Sequence, residues 1–338
     1  YNAKYLSSLY NHNLIKQIIW YGIGIFIFIV SKCINTKNIF KYSFILYIIS
    51  IVLLIYVLLF GKVINGAKAW ITIKGLSFQP SELTKLSLAI MLSDLAGKFK
   101  STGIKSEFIF LLKVAILILI PSVLVFLEPD SGAIIFFLVI TLAILIFSDI
   151  HKFWFTIVFI LIALFIGGFI LLYLYNKDLL INLIGTSFFY RVERLITFKT
   201  MSSYQLENAL VAMGSSSLLG TGLGKVSLYI PEAPTDFIFA FSISNFGYLC
   251  GFIILSCYFL MDLFLINKII NMKKNTLKYI LISFTSIFLF GQIINIGMNL
   301  GLLPIIGIPL PFLSYGGSTL IIYFTFLSII FNSFEKSY

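Results

Sequence analysis

An all-α polytopic membrane protein with nine transmembrane helices and one long extracytoplasmic loop is the architecture the sequence predicts, on three observations. The 338 residues are 60% hydrophobic and only 11% charged, with a mean hydropathy of +1.05, which leaves too little polar surface to solvate a soluble domain. The apolar residues run in stretches long enough to cross a hydrocarbon layer, which takes about 17 to 25 residues per helix. The lysines gather in alternate connections between those stretches, the asymmetry that orients helical membrane proteins. Residues 1–338 read as a single integral membrane domain.

Taken in order, the spans are read at 18–34, 42–60, 82–97, 107–127, 132–148, 153–175, 237–265, 278–302 and 317–333. The third contains Glu82, Lys85 and Asp94; a span with charges of this kind faces a bundle interior or an aqueous cavity. The connections 35–41, 98–106, 149–152 and 266–277, with the tail, carry Lys37, Lys41, Lys98, Lys100, Lys105, Lys152, Lys268, Lys273, Lys274 and Lys336, and are therefore cytoplasmic. The opposite short connections carry only Lys62, Lys68 and Lys74, and the leading stretch adds Lys4 and Lys16. Seven of the eight prolines, all but Pro121, fall on that outer side, as does the connection 176–236. A connection of this length is functional or disordered, and Phe188, Phe189, Tyr190, Leu195, Ile196 and Phe198 make it too apolar for disorder. It is expected to lie on the membrane surface or dip into it.

Composition excludes several classes. The net charge of +11 sits in dispersed clusters between apolar runs and describes positive loops better than a nucleic-acid stripe. Cys33, Cys250 and Cys257 have no CxxC spacing and read as packed thiols. His12 and His151 lie far apart with no cysteine or carboxylate cluster beside them, so no metal-ligand set is read. The chain opens at Tyr1 in a polar stretch without a signal-peptide pattern, and is expected to be a fragment whose N-terminal part is missing.

The chemistry-bearing residues lie in the interruptions. In NGAKAWITIKGLSFQPSELTK, Pro80, Ser81 and Glu82 read as a helix start with an acid at its positive end. Glu82 and Lys85, three apart, share a face and pair, either as a purely structural brace or near a head group. Trp70 reads first as an interfacial anchor. In LEPDSG, Asp130 caps the helix that starts near Gly132. Arg191, Arg194 and Lys199 form a basic patch suited to an anionic head group or to lipid phosphate. The glycines Gly214, Gly220, Gly222 and Gly224 permit irregular backbone but make no Walker loop. Asp236, where a loop with Pro231 and Pro234 enters an apolar helix, is a desolvated carboxylate suited to a general base, or a bare helix cap. Gln292, Asn295 and Asn299 form a polar stripe for interhelical hydrogen bonds. The prolines and glycines of LGLLPIIGIPLPFLSYGGSTL break the helix, and at membrane depth such backbone is buried in protein or lines a cavity.

GAKAW with QPSELTK, EPDSGA, YQLENALVAMGS, GTGLG, PEAPTDFIFA and PLPFLSYGGS, in that order, together resemble the SEDS family, the shape, elongation, division and sporulation polymerases of RodA and FtsW type. NIGMNLGLLPIIGIPLPF leans toward RodA. The resemblance covers essentially the whole chain and implies ten spans, the first being the missing one. It implies an inverting peptidoglycan glycosyltransferase of the bacterial cytoplasmic membrane that polymerises lipid II on the outer face, with a class B penicillin-binding protein as partner and no nucleic acid. It also implies that Asp236 is catalytic and that Lys68, Trp70, Gln79, Glu82, Lys85, Asp130, Gln205, Glu232, Ser314, Tyr315, Gly316, Gly317 and Ser318 meet substrate, along with Arg191 and Arg194. The one candidate cofactor is a divalent cation, Mg or Mn, accompanying the lipid pyrophosphate. Three features depart from the family pattern. Ala69 stands where an arginine usually precedes the tryptophan, so Lys68 would supply that charge; Ser244 and Asn245 replace a pair of glutamates; and the stretch KVSLYI is short. The alternatives are a lipid II flippase and a non-catalytic scaffold.

Overall fold

A computed structural model describes residues 3–31, 36–64, 67–73, 76–186, 189, 193, 204–222 and 228–335. Its elements are α1 (Ala3–Ser31), α2 (Thr36–Lys41), α3 (Ser43–Phe60), β1 (Lys62–Ile64), β2 (Ala67–Ile73), β3 (Leu76–Phe78), α4 (Pro80–Lys98), α5 (Ile104–Leu127), α6 (Ser131–Phe147), α7 (Phe153–Tyr175), α8 (Lys177–Ile184), α9 (Tyr204–Gly214), α10 (Ile238–Asn271), α11 (Thr276–Asn299) and α12 (Gly317–Glu335). Each of the nine apolar stretches read from the sequence overlaps a helix; the end of the first lies outside the described residues, and the eighth runs past the end of α11 at Asn299. Six of these, within α1, α3, α5, α7, α10 and α11, are long and apolar enough to cross a membrane; α6 and the apolar part of α12 are shorter.

Burial follows membrane logic, with apolar surface outward and small or polar groups at helix contacts. On α3 the buried residues Ser43, Tyr47, Ser50, Leu54 and Val57 recur at helical spacing, and the Ser50 and Ser87 hydroxyls meet at 2.8 Å. The exposed face carries Phe44, Ile45, Ile48, Val52, Ile55 and Leu59. The centre belongs to α4 and α11, which pack on each other and on α6 and α12. As its charges foretold, α4 is interior: Ser81, Glu82, Thr84, Lys85, Ser87 and Ser93 are all buried. None of the described side chains of α7 is buried.

Three departures from expectation concern local structure. The connection between α3 and α4, read as a loop, holds a three-stranded antiparallel sheet, β1-β2-β3, with Lys62 opposite Trp70 and Ile71 opposite Phe78. The span read as continuous from 237 to 265 is interrupted at Gly247 (φ 82°, ψ 176°). The freed backbone groups are satisfied from the 217–222 turn: Thr221 N donates to Ser244 O at 3.1 Å, Gly222 N to Asn245 O at 3.0 Å, Tyr248 N to Ser217 O at 3.3 Å and Leu249 N to Leu218 O at 3.2 Å. Gly220 and Gly247 both have positive φ, and a Cβ on either would overlap the facing backbone, so only glycine fits at this crossing. Cys257, expected to be packed, is exposed, and Cys33 lies outside the described residues.

The long connection between α7 and α10 packs where it is described. Leu180 of α8 and Phe189 are buried, and α9 seats Ala209, Ala212 and Met213 in a cluster with Ile230, Phe237, Phe239 and Leu310.

Candidate active site

Pro231 and Pro234 keep the chain out of helix before α10, and the resulting turn hangs on one carbonyl. Thr235 N, Asp236 N and Phe237 N donate to Glu232 O at 3.1, 3.1 and 3.2 Å. The turn is then fastened from two sides. From α11, the Asn295 and Asn299 amides each donate to Asp236 O at 2.9 Å, and Ala240 N donates to Asn299 Oδ1 at 3.0 Å. From the connection between α11 and α12, Ser314 Oγ donates to Thr235 O at 2.6 Å and Tyr315 N to Pro234 O at 2.8 Å. The polar stripe on α11 is interhelical, as read, and it also fixes the backbone of the sequence-predicted base.

The Asp236 carboxylate itself faces the last connection, where a Cβ added to Gly307 would stand 3.5 Å from Oδ2. Burial, with the Glu232 carboxylate nearby, pushes Asp236 up to about 6. Glu232 is exposed and accepts from Thr235 Oγ1 at 3.0 Å.

A second centre forms around Asp130. Its Oδ1 accepts from Ala133 N at 3.2 Å, which makes it the cap of α6 as expected. Its Oδ2 accepts from Gln79 Nε2 at 2.7 Å and Ser81 Oγ at 3.0 Å. Gln79 N in turn donates to Ser318 Oγ at 3.0 Å. Three motifs far apart in sequence, QPSE, EPD and SYGGS, thus meet in one clasp. Lys85 Nζ lies 2.7 Å from Glu82 Oε1, both side chains buried, and 4.2 Å from the centroid of the Phe136 ring. In this arrangement the pair is satisfied within α4 and covered by Phe136 of α6.

The two centres share the connection between α11 and α12. Next to Gly307, which faces Asp236, Ile308 accepts from Asn295 Nδ2 at 2.8 Å and lies beside Gly132 at the start of α6. Gly317 leaves no room for a Cβ against the Trp20 indole, which seats α12 on α1; at Gly316 before it, a Cβ would stand in ordinary contact with Thr319 Oγ1 at 3.6 Å.

Other sequence-predicted residues lie further out. Trp70 sits on β2 and is partly exposed. Ala69 beside it is fully buried, and Lys68 donates to Leu59 O at 3.0 Å, so its ammonium caps the end of α3. Gln205 is in the first turn of α9, partly exposed. Arg191, Arg194 and Lys199 lie outside the described residues. Ser81 was legible as part of a helix start but not as a ligand of Asp130. Among the described residues no three His, Cys, Asp or Glu side chains stand close enough to hold a metal ion.

Residues 1–337 match the family FTSW_RODA_SPOVE, described as cell cycle protein. The probable peptidoglycan glycosyltransferase FtsW of Wigglesworthia glossinidia brevipalpis is 33% identical over 332 residues, covering 94% of this chain and 82% of that protein. Its counterpart in Buchnera aphidicola subsp. Baizongia pistaciae is 36% identical over 321 residues, with 91% and 80% covered. Among solved structures, the rod shape determining protein RodA of Thermus thermophilus superposes with a TM-score of 0.67 at 25% identity, over 96% of this chain and 88% of that one. A chain of a peptidoglycan synthase complex, described as coordinating polymerization and crosslinking, gives a TM-score of 0.75 at 24% identity, over 96% and 90%, a likeness of fold.

Proposed function

We propose that this chain, which belongs to the FtsW, RodA and SpoVE family of cell cycle proteins, is a peptidoglycan glycosyltransferase that polymerises lipid II at the outer face of the bacterial cytoplasmic membrane. The observation that carries the reading is the seat of Asp236: a carboxylate raised to about 6 on a backbone pinned by two buried asparagines.

The chemistry asks for little more than that seat. The 4-hydroxyl of an acceptor sugar attacks the anomeric carbon of the donor, Asp236 takes the hydroxyl proton, the new glycosidic bond forms with inversion, and undecaprenyl pyrophosphate leaves with the bonding pair. A carboxylate of about 6 is ionised at neutral pH and still more basic than an ordinary one, the compromise that suits a general base. Rigid support of its backbone holds the base in attacking geometry. Pyrophosphate needs no acid to depart, and a divalent cation travelling with it would find carboxylates here but no built cage.

The lysine distribution supports the orientation: Lys98, Lys100, Lys105, Lys152, Lys268, Lys273 and Lys274 lie in the end turns of helices or in the connections between them, at the end opposite Asp130 and Asp236. The likeness to a chain of a peptidoglycan synthase complex supports a class B penicillin-binding protein as partner. The curated relatives carry the FtsW name and the superposed Thermus thermophilus chain the RodA name, so the lean of the sequence toward RodA stays part of this proposal.

The test is glycan polymer made from lipid II by purified variants at equal protein. Asp236→Asn should fold and lose about 100- to 10,000-fold of the rate, the usual share of a general base, while Glu232→Gln loses less. Wild-type rates from Asp236→Asn would end the assignment.

A further inference from the structure

In the turn between α5 and α6 stands a carboxylate that the chemistry above leaves unused. Glu128 follows α5 as its C-cap; its N–H donates to Leu124 O and Val125 O at 3.2 and 3.1 Å. The residue is fully buried, and both of its carboxylate oxygens are buried without a hydrogen-bond partner among the described residues. A carboxylate ion in that position is unsustainable without a partner. Two residues away, Asp130 has three donors, from Gln79, Ser81 and Ala133 N at the positive end of α6. Where two acids this close compete for one negative charge, the acid with the donors keeps it.

Charges on the packed elements do not alter that outcome. Helix α5 packs against α3, α4 and α6. Neither α3 nor α6 carries a charged side chain. On α4, Glu82 and Lys85 pair with each other, and Asp94 pairs with Lys98 at the far end. Lys68, on the strand packed beside α3 and α4, is spent on Leu59 O.

We propose that Glu128 is a positioning residue that works as a neutral carboxylic acid: uncharged, it leaves Asp130 the single negative charge of the turn, and its ionisation opens the Gln79–Asp130–Ser81 clasp. Burial, and then the Asp130 charge, push its carboxyl up to about 8. Above that, the new charge finds no donor and repels Asp130, and relief comes only by turning Glu128 toward water. That movement drags the residue that caps α6. Because Gln79 also holds Ser318, the disturbance reaches the SYGGS segment, whose Ser314 and Tyr315 hold the Asp236 turn. Activity is therefore turned down on the alkaline side by a residue that never touches the sugar.

The inference rests on the glycosyltransferase reading, so its test has one arm with turnover and one without. Polymerisation of lipid II by the full chain is followed from pH 7 to pH 9. A single acid of about 8 leaves about one molecule in eleven neutral at pH 9, so the wild-type rate should fall about tenfold. In Glu128→Gln the ratio of the two rates should stay near one, because the amide keeps the shape and cannot ionise. A wild-type rate that is flat to pH 9, or a parallel fall in Glu128→Gln, overturns the proposal. The second arm is infrared difference spectroscopy of the wild-type chain between the same pH values. The carbonyl band of a protonated carboxyl should disappear, and should be missing from Glu128→Gln; a wild type without that band at pH 7 overturns the proposal even if the variant does not fold. Should neither protein make polymer while the band titrates, the glycosyltransferase reading fails and the protonation of Glu128 stands.

Discussion

Helix α10 begins without a cap of its own. Phe237 occupies the capping position and has no side-chain bond to give; the acceptor for Ala240 N comes instead from Asn299, on α11. The same side chain donates to Asp236 O at 2.9 Å and to Asn295 O at 2.8 Å, and it is fully buried. Asn299→Leu keeps the volume roughly and removes these three bonds together with the longer one to Asn295 Oδ1 at 3.3 Å. The bond within α11 costs little, because Asn295 O has a helical partner position. The two interhelical bonds are worth about 0.6 to 1.7 kcal/mol each in a membrane protein, and the lost cap falls in the same range, so about 2 kcal/mol of stability should disappear. The catalytic effect should be larger than that figure suggests, since the Asp236 carbonyl then keeps Asn295 as its one remaining side-chain donor on α11 and a shift of about 1 Å at a reacting group costs about 100-fold. Unfolding by titration with sodium dodecyl sulfate reads the first number and lipid II polymerisation the second. Gln292→Leu, on the same stripe but bonded to Asp262 at 3.1 Å, is the control: comparable loss of stability, near-normal rate. If Asn299→Leu loses rate no more than Gln292→Leu, the support of Asp236 by α11 is not part of the mechanism.

A base raised to about 6 must be ionised to act, so the polymerisation rate should rise with pH through 6, with the rate at pH 5 about tenfold below the plateau; a rate unchanged down to pH 5 contradicts the role. Because that carboxyl is raised above its ordinary 3.8, it makes the fold less stable as pH climbs from 3.8 to 6, and unfolding measured across the window should run opposite to activity. Gly247→Ala places a Cβ on the Leu218 carbonyl at positive φ, and strain plus overlap should cost about 3 kcal/mol; a variant as stable as wild type would mean the crossing is loose. Single cysteines at Tyr315 and Lys273 should react with an impermeant thiol reagent in intact cells only at the first, and labelling at Lys273→Cys would invert the orientation.

The long helices were legible because each apolar run has the length the hydrocarbon layer demands, and Asp130 was legible as a cap because an acid before a helix start has a local signature. The sheet was missed although AKAWITI alternates and is rich in β-branched residues, the pattern of a strand; its setting between membrane spans masked it. The break at Gly247 could not be read, because one glycine in an apolar run is unremarkable until Ser217, Leu218, Thr221 and Gly222 arrive from elsewhere to satisfy it. Glu107 was read as the first residue of a span. It is instead fully buried and accepts from Ser101 Oγ, His151 N at 3.1 Å and Trp154 Nε1 at 2.8 Å, a knot between two connections that only the fold brings together. Ser314 and Tyr315 fell in a motif assigned to substrate, and here they hold the Asp236 turn.

The interior place of α4 has a consequence for how the protein is made. Glu82, Lys85, Asp94 and Lys98, with its buried hydroxyls, leave this segment outside the set apolar enough to cross a membrane, and a charge at the centre of a lone inserting helix costs about 2.5 to 3.5 kcal/mol. Helix α3, already synthesised, offers a partner through the Ser50–Ser87 bond. Helix α11, which covers another side of α4 in the finished bundle, is translated much later. A nascent chain therefore holds a half-covered charged helix for the time it takes to synthesise α5 through α10, exposed to membrane quality control. Substitutions that weaken the α4–α11 contact should act there first, so that the cell contains little of the protein, and what survives works at its normal speed.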